Sequence, residues 1–256
     1  MIHPTAIIGA KAQLGRDCHV GPYSVIGDEV TLGERVRVES HCVIEGLTEI
    51  GDETHVFPFV SLGLASQDMK YKGEPARTRI GKRNRIREFV TIHRGTEGGG
   101  MLTEIGDDCL IMAQAHVAHD CRVGNHVIMS NAATLGGHVR IEDGANIGAY
   151  SGVHQFCRVG REAYIGGYSV IAGDALPHAL TVGNRAKCYG LNHVGMRRRN
   201  YPQATIDTLH HAFRLLLSSR LNTTQAIERI RAEINDSPET EELLRFIETS
   251  ERGVIK

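Results

Sequence analysis

Residues 105–175 read IGDDCL IMAQAH VAHDCR VGNHVI MSNAAT LGGHVR IEDGAN IGAYSG VHQFCR VGREAY IGGYSV IAGDA when cut into sixes. The first place of every hexad is aliphatic, from Ile105 through Val117 and Leu135 to Ile171. The fifth is small, from Cys109 through Ala115 and Ser151 to Ala175, and never larger than valine. The N-terminal part keeps the same two slots, with Ile2, Ile8 and Leu14 leading to Leu62, and Ala6, Ala12 and Cys18 leading to Ser66. A helix needs apolar recurrence near 3.6 and a simple strand near two, so period six fits neither. It fits one short strand plus a corner. Three such sides close a coil of eighteen residues, and coils stack at the ordinary strand spacing of about 4.8 Å. The aliphatics then fill the axis of a triangular prism, and each coil buries its apolar face against its neighbours. The hexads do not set the hand of the coil, although parallel crossovers are generally right-handed.

Two segments break the rhythm. The aliphatic slot fails from Gly63 to Arg79, and the phase shifts between His93 and Glu104, where Ile92 and Ile105 stand 13 apart. Both read as loops projecting from the prism, where function concentrates. Beyond Ala175 the repeat decays, with a last coil expected near Val182-Gly183. Three helices are expected after it. One runs from Pro202 to Ser218, one is capped by Asn222 or Thr223, and one opens at Ser237-Pro238. The division is thus a β-prism over 1–186 and a small helical domain over 187–256.

Composition narrows the function classes. The 29 lysines and arginines balance 30 aspartates and glutamates, so no net field points to nucleic acid. The opening Met1-Ile2-His3-Pro4-Thr5 lacks the marks of a signal peptide, and no apolar run could cross a bilayer. A soluble, cytoplasmic chain without stable membrane insertion is expected. Tryptophan is absent and aromatics are 5% of residues, so small and aliphatic side chains must fill the core. The six cysteines form no CxxC pair, and five fall in the small slot, which reads as packing.

Stacking by eighteen places Ala118-His119-Asp120, Gly136-Gly137-His138 and His154-Gln155-Phe156 on one corner of three successive coils, with His116 just before it. A histidine there suits a general base for a hydroxyl, because its ordinary pKa lies near neutrality. Asp120 would orient the ring, or would be a turn residue and nothing more. Gly137 lets a carbonyl approach a backbone N–H that could hold an oxyanion. No serine or cysteine stands out as a nucleophile, which favours direct transfer.

The segments Gln67-Asp68-Met69-Lys70-Tyr71-Lys72-Gly73-Glu74-Pro75, Ile92-His93-Arg94-Gly95-Thr96, His116-Val117-Ala118-His119-Asp120-Cys121, Gly136-Gly137-His138-Val139 and Val153-His154-Gln155-Phe156-Cys157 closely resemble the UDP-N-acetylglucosamine 3-O-acyltransferases. The resemblance covers essentially the whole chain, including Met196-Arg197-Arg198-Arg199. It implies a left-handed parallel β-helix and a homotrimer with active sites between subunits. It implies a (3R)-hydroxyacyl donor on acyl carrier protein, UDP-N-acetylglucosamine as acceptor, and the first step of lipid A synthesis, with no cofactor or metal. By the same resemblance His119 is the base, Asp120 its partner and Gly137 the oxyanion contact. Gln67, Asp68, Lys70, His116, His138, His154 and Gln155 would position substrate, and Asn192 and Arg198 would contact the nucleotide. Gly167 would leave room for a long acyl chain of 3-hydroxymyristoyl type. Arg197 to Arg199 would be either a solvated patch or a dock for the carrier protein. Arg185 and Val194 depart from the family, which commonly has histidine and glutamate there. Two rival classes stay open: a zinc-dependent hydratase resembling the γ-class carbonic anhydrases, and a non-catalytic scaffold.

Overall fold

The computed structural model describes residues 1–218 and 221–256. Its larger part is a left-handed parallel β-helix with three faces, formed by sheets of nine, eight and ten strands. Register follows the hexads: Val25 pairs with Val43, Val117 with Leu135, and Leu135 with Val153, each eighteen residues on. The first aliphatic of each hexad points to the axis, and Val20, Ile44, Ile86, Ile111, Leu135 and Ile165 are fully buried. The fourth place of the hexad turns the corner in the left-handed backbone region, as at Asp108, Asp120, His138, Tyr150 and Phe156. The small fifth place then tucks under the next coil. Several of its polar occupants donate to a carbonyl there: Ser24 to Glu39 at 2.6 Å, Ser151 to Gly166 at 2.8 Å, Cys121 to Gly136 at 3.1 Å. All six cysteines are free.

The loops leave their lengths in the register. Leu47 pairs with Arg77 and Ser61 with Thr91, thirty apart, so the first loop adds twelve residues, two whole hexads, and preserves phase. Ile80 pairs with Ile105 and Thr91 with His116, twenty-five apart, so the second adds seven and shifts it.

The expected boundary at 186/187 falls inside a hairpin. Ala179–Val182 closes the third face and pairs antiparallel with Lys187–Leu191, so helices begin at His193. A six-residue helix α1 (His193–Arg198), which apolar spacing does not signal, precedes α2 (Gln203–Ser218), α3 (Thr223–Glu233) and α4 (Pro238–Glu248). Asn222, rather than Thr223, caps α3 in a reciprocal capping box with Gln225. Ser237 caps α4, with Pro238 in its first turn. Phe213, Leu209, Ile230, Leu243 and Leu244 form a second core that closes the end of the prism against Leu176 and Ala179.

Candidate active site

The expected corner exists. His119 and Gly137 take the third place of equivalent hexads on successive coils, and Asp120, His138 and Phe156 take the left-handed fourth place. The rings of His119 and His138 meet edge-on with centroids 5.0 Å apart, and His138 stacks on Phe156 at 4.3 Å.

Asp120 is both a turn residue and the partner of His119. Its Oδ2 lies 2.8 Å from His119 Nδ1. The same oxygen accepts the Thr96 hydroxyl at 2.6 Å, and Oδ1 accepts the Thr96 N–H at 2.9 Å. Where a carboxylate oxygen accepts at Nδ1, a neutral ring holds its hydrogen there and leaves the Nε2 lone pair free. Gly137 makes room for that nitrogen. A Cβ built on it would lie 2.5 Å from both Cε1 and Nε2 of His119. The Gly137 N–H has no hydrogen-bond partner among the described residues.

Three further histidines surround the pair. Burial, with smaller contributions from His116, His119 and Arg94, pushes the His93 pKa down to about 4. Burial lowers those of His116 and His138 too, with His119 adding to both. His116 Nδ1 meets the Thr91 hydroxyl at 2.7 Å. Neutral imidazoles donate one hydrogen bond and accept another, as a polyhydroxyl ligand requires. Burial lifts the neighbouring Cys121 thiol to about 12, so it stays protonated and is no nucleophile.

Gln67, Asp68, Lys70, His116, His119, His138 and Gln155 line one cavity with Met69, His93, Ala118 and Phe156. Not every expected residue joins it. His154 lies on the same ridge, but its Nδ1 meets the Gln155 carbonyl at 3.2 Å and Arg252 at 3.3 Å. Asn192 caps α1 by accepting the Gly195 N–H, and it lines a separate cavity with Val194, Arg198 and Arg199. Arg199 is tied to Glu162 at 2.6 Å. Gly167 stacks over Ala149 on a different corner of the prism. His93 and Thr96 lie in a segment that carries the resemblance but have no role assigned by sequence, and Arg252 has none either. The seven extra residues hide that Thr91 sits beneath His116, and hence that His93 belongs to the same column of histidines. The ligand atoms of His119, Asp120 and His138 lie within 4.8 Å of one another, a spacing that could hold a metal ion.

Comparison with known proteins gives this corner its family. A model described as UDP-N-acetylglucosamine O-acyltransferase, domain 2, matches residues 174–255, and the bacterial transferase hexapeptide model matches 11–46, 102–137 and 138–173. The acyl-[acyl-carrier-protein]–UDP-N-acetylglucosamine O-acyltransferase of Thermodesulfovibrio yellowstonii is 47% identical over 255 residues, covering 100% of this chain and 99% of that protein. The chain belongs to the UDP-N-acetylglucosamine O-acyltransferases. It is therefore an acyltransferase. The fold of this acyltransferase matches LpxA from Acinetobacter baumannii with a TM-score of 0.97 at 42% identity, covering 100% of this chain and 99% of that one. It matches LpxA from Bacteroides fragilis with a TM-score of 0.98 at 36% identity, covering 100% of both chains. Among the described residues no helix is long and apolar enough to cross a membrane.

Proposed function

We propose that this enzyme moves a (3R)-3-hydroxyacyl group from acyl carrier protein to the glucosamine 3-hydroxyl of UDP-N-acetylglucosamine, the first step of lipid A synthesis, in the cytoplasm. The relatives' names supply the two substrates. The observation that carries the chemistry is the chain Thr96–Asp120–His119, which opens on a cavity beside an unpartnered backbone N–H. His119 Nε2 takes the proton of the acceptor hydroxyl as its oxygen attacks the thioester carbonyl. Asp120 stabilises the imidazolium that forms. The Gly137 N–H holds the oxyanion, and collapse of the adduct expels the carrier's thiolate, which recovers the proton from His119. No covalent enzyme intermediate is needed.

The separation of Asn192, Arg198 and Gly167 from the His119 cavity supports a homotrimer in which neighbouring prisms complete each site. Tyr23, His41, Phe59 and Phe89 stack along the corner that also carries Tyr150 and Tyr168, an exposed aromatic ridge suited to such a contact. Gly167 would leave the far end of an acyl slot open, which favours donors of 3-hydroxymyristoyl length. The deciding experiment incubates the enzyme with hydroxyacyl carrier proteins of several lengths and with UDP-N-acetylglucosamine or its 3-amino analogue, and reads products by mass spectrometry. An ester on the 3-oxygen from a long donor is expected. Absence of any acylated sugar nucleotide sinks the reading.

The ligand spacing at His119, Asp120 and His138 favours a second reading, a bound divalent ion. A cation there would displace the hydrogens that Asp120 Oδ2 already accepts from Thr96 and His119. About one tightly held zinc per chain in elemental analysis would favour it.

A further inference from the structure

The C-terminal residues return to the catalytic corner. Asp174 stands one coil beyond Phe156, and the final segment is stitched to it. The Asp174 N–H donates to the Gly253 carbonyl at 2.8 Å, and the Ile255 N–H donates to the Asp174 carbonyl at 2.8 Å. The Ser250 hydroxyl meets Asp174 Oδ2 at 2.8 Å. Arg158 holds the same carboxylate while donating to the Phe246 carbonyl at 2.7 Å and the Thr249 hydroxyl at 3.0 Å. The segment thereby sets Arg252 beside the ridge, with Nη2 3.3 Å from His154 Nδ1.

That contact has a chemical consequence, because His154 Nδ1 has two neighbours of opposite character. The Gln155 carbonyl, 3.2 Å away, can only accept, whereas the Arg252 guanidinium can only donate. With hydrogen on Nδ1 the ring would serve the carbonyl and present an acceptor at Nε2. When Arg252 donates to it, Nδ1 keeps its lone pair and the hydrogen sits on Nε2. We infer that Arg252 is a positioning residue of the acyl transfer, which sets the tautomer of His154 so that this ring offers substrate a hydrogen-bond donor. The inference rests on the reading of His154 as a substrate-positioning residue. It assigns the far C-terminus a part in acceptor binding, besides closing the prism.

The test separates tautomer from turnover. In ¹⁵N spectra of histidine-labelled enzyme, with the His154 signals identified by their loss in His154→Gln, wild type should show hydrogen on Nε2. Arg252→Met, which keeps length but removes the donors, should move it to Nδ1, and Arg252→Lys should restore it. In kinetics Arg252→Met should raise KM for the sugar nucleotide about tenfold, the usual order for losing one charge-assisted contact, with kcat changed less than about twofold. Arg252→Lys should recover most of that loss. Hydrogen on Nδ1 in wild type, or kinetics unmoved by Arg252→Met, overturns the inference while leaving the acyl transfer intact. Failure of wild type to acylate the nucleotide instead removes the proposed function, and the spectra still decide whether Arg252 sets the tautomer.

Discussion

At His119 orientation and access come from different neighbours: Asp120 holds Nδ1, and the bare Gly137 backbone leaves room around Nε2. His119→Ala should therefore keep the fold and lose about 10² to 10⁴ of kcat, the usual worth of a general base. An undiminished rate would remove the residue from the mechanism. Gly137→Ala tests the second neighbour. Its methyl would overlap the imidazole, so steady-state kinetics should show a loss approaching that of His119→Ala with little change in melting temperature. His93 gives the pH dependence. Its pKa falls from 6.5 to about 4 chiefly through burial, so between these values the unfolded chain binds more protons than the folded one. Stability from keeping this ring neutral is complete above pH 6.5 and is lost as pH drops toward 4. Denaturant midpoints taken between pH 7.5 and 4.5 should fall less steeply in His93→Gln, by up to about one proton's worth of slope. Equal slopes would contradict the burial argument.

The loop over 94–101 is the element that makes Asp120 useful. Its glycines suggest a slack connector, yet Thr96 donates twice to the carboxylate and Gly99 packs so closely that a Cβ there would lie 1.9 Å from Asp120 Cγ. The composition Gly98-Gly99-Gly100 is thus partly steric, shaped at Gly99 by a side chain twenty-one residues downstream in sequence. Thr96→Val removes the hydroxyl donor while preserving shape. It should cost about 1–3 kcal/mol of stability by chemical denaturation and lower kcat without raising KM in proportion. A KM effect alone would place the loop in binding rather than in support of the base. Helix ends were more legible than this loop. Asn222 and Ser237 cap α3 and α4 through local contacts that their neighbours in sequence already announce. The helix α1 was hidden because its six residues are too few to show an apolar period, and one buried residue, Met196, anchors it.

At the scale of the molecule, the proposed trimer makes the aromatic ridge an interface. Phe59→Glu combined with Phe89→Glu should leave each prism folded, because both rings are about half exposed in one chain. Sedimentation should then show monomers, with acyl transfer lost; a trimer that survives both charges would place the contact elsewhere. Much of this architecture was legible in the sequence. A period of six with aliphatic and small slots permits a three-sided stack, and since coils add one eighteen-residue step each, the pairing of His119 beside Gly137 follows by counting. Counting works because each hexad is a local unit whose neighbours are set by chain length alone. It stops where insertions change the step, so His93 and Thr96 joined the site only through the folded register, and it never reaches contacts made by chain ends. Arg252, ninety-eight positions from His154, meets it because the helical tail folds back over the prism. Local repetition determined the scaffold and the column of His119, His138 and His154; only tertiary packing, which brings non-repeating segments onto that scaffold, decided what buries Asp120 and what faces His154.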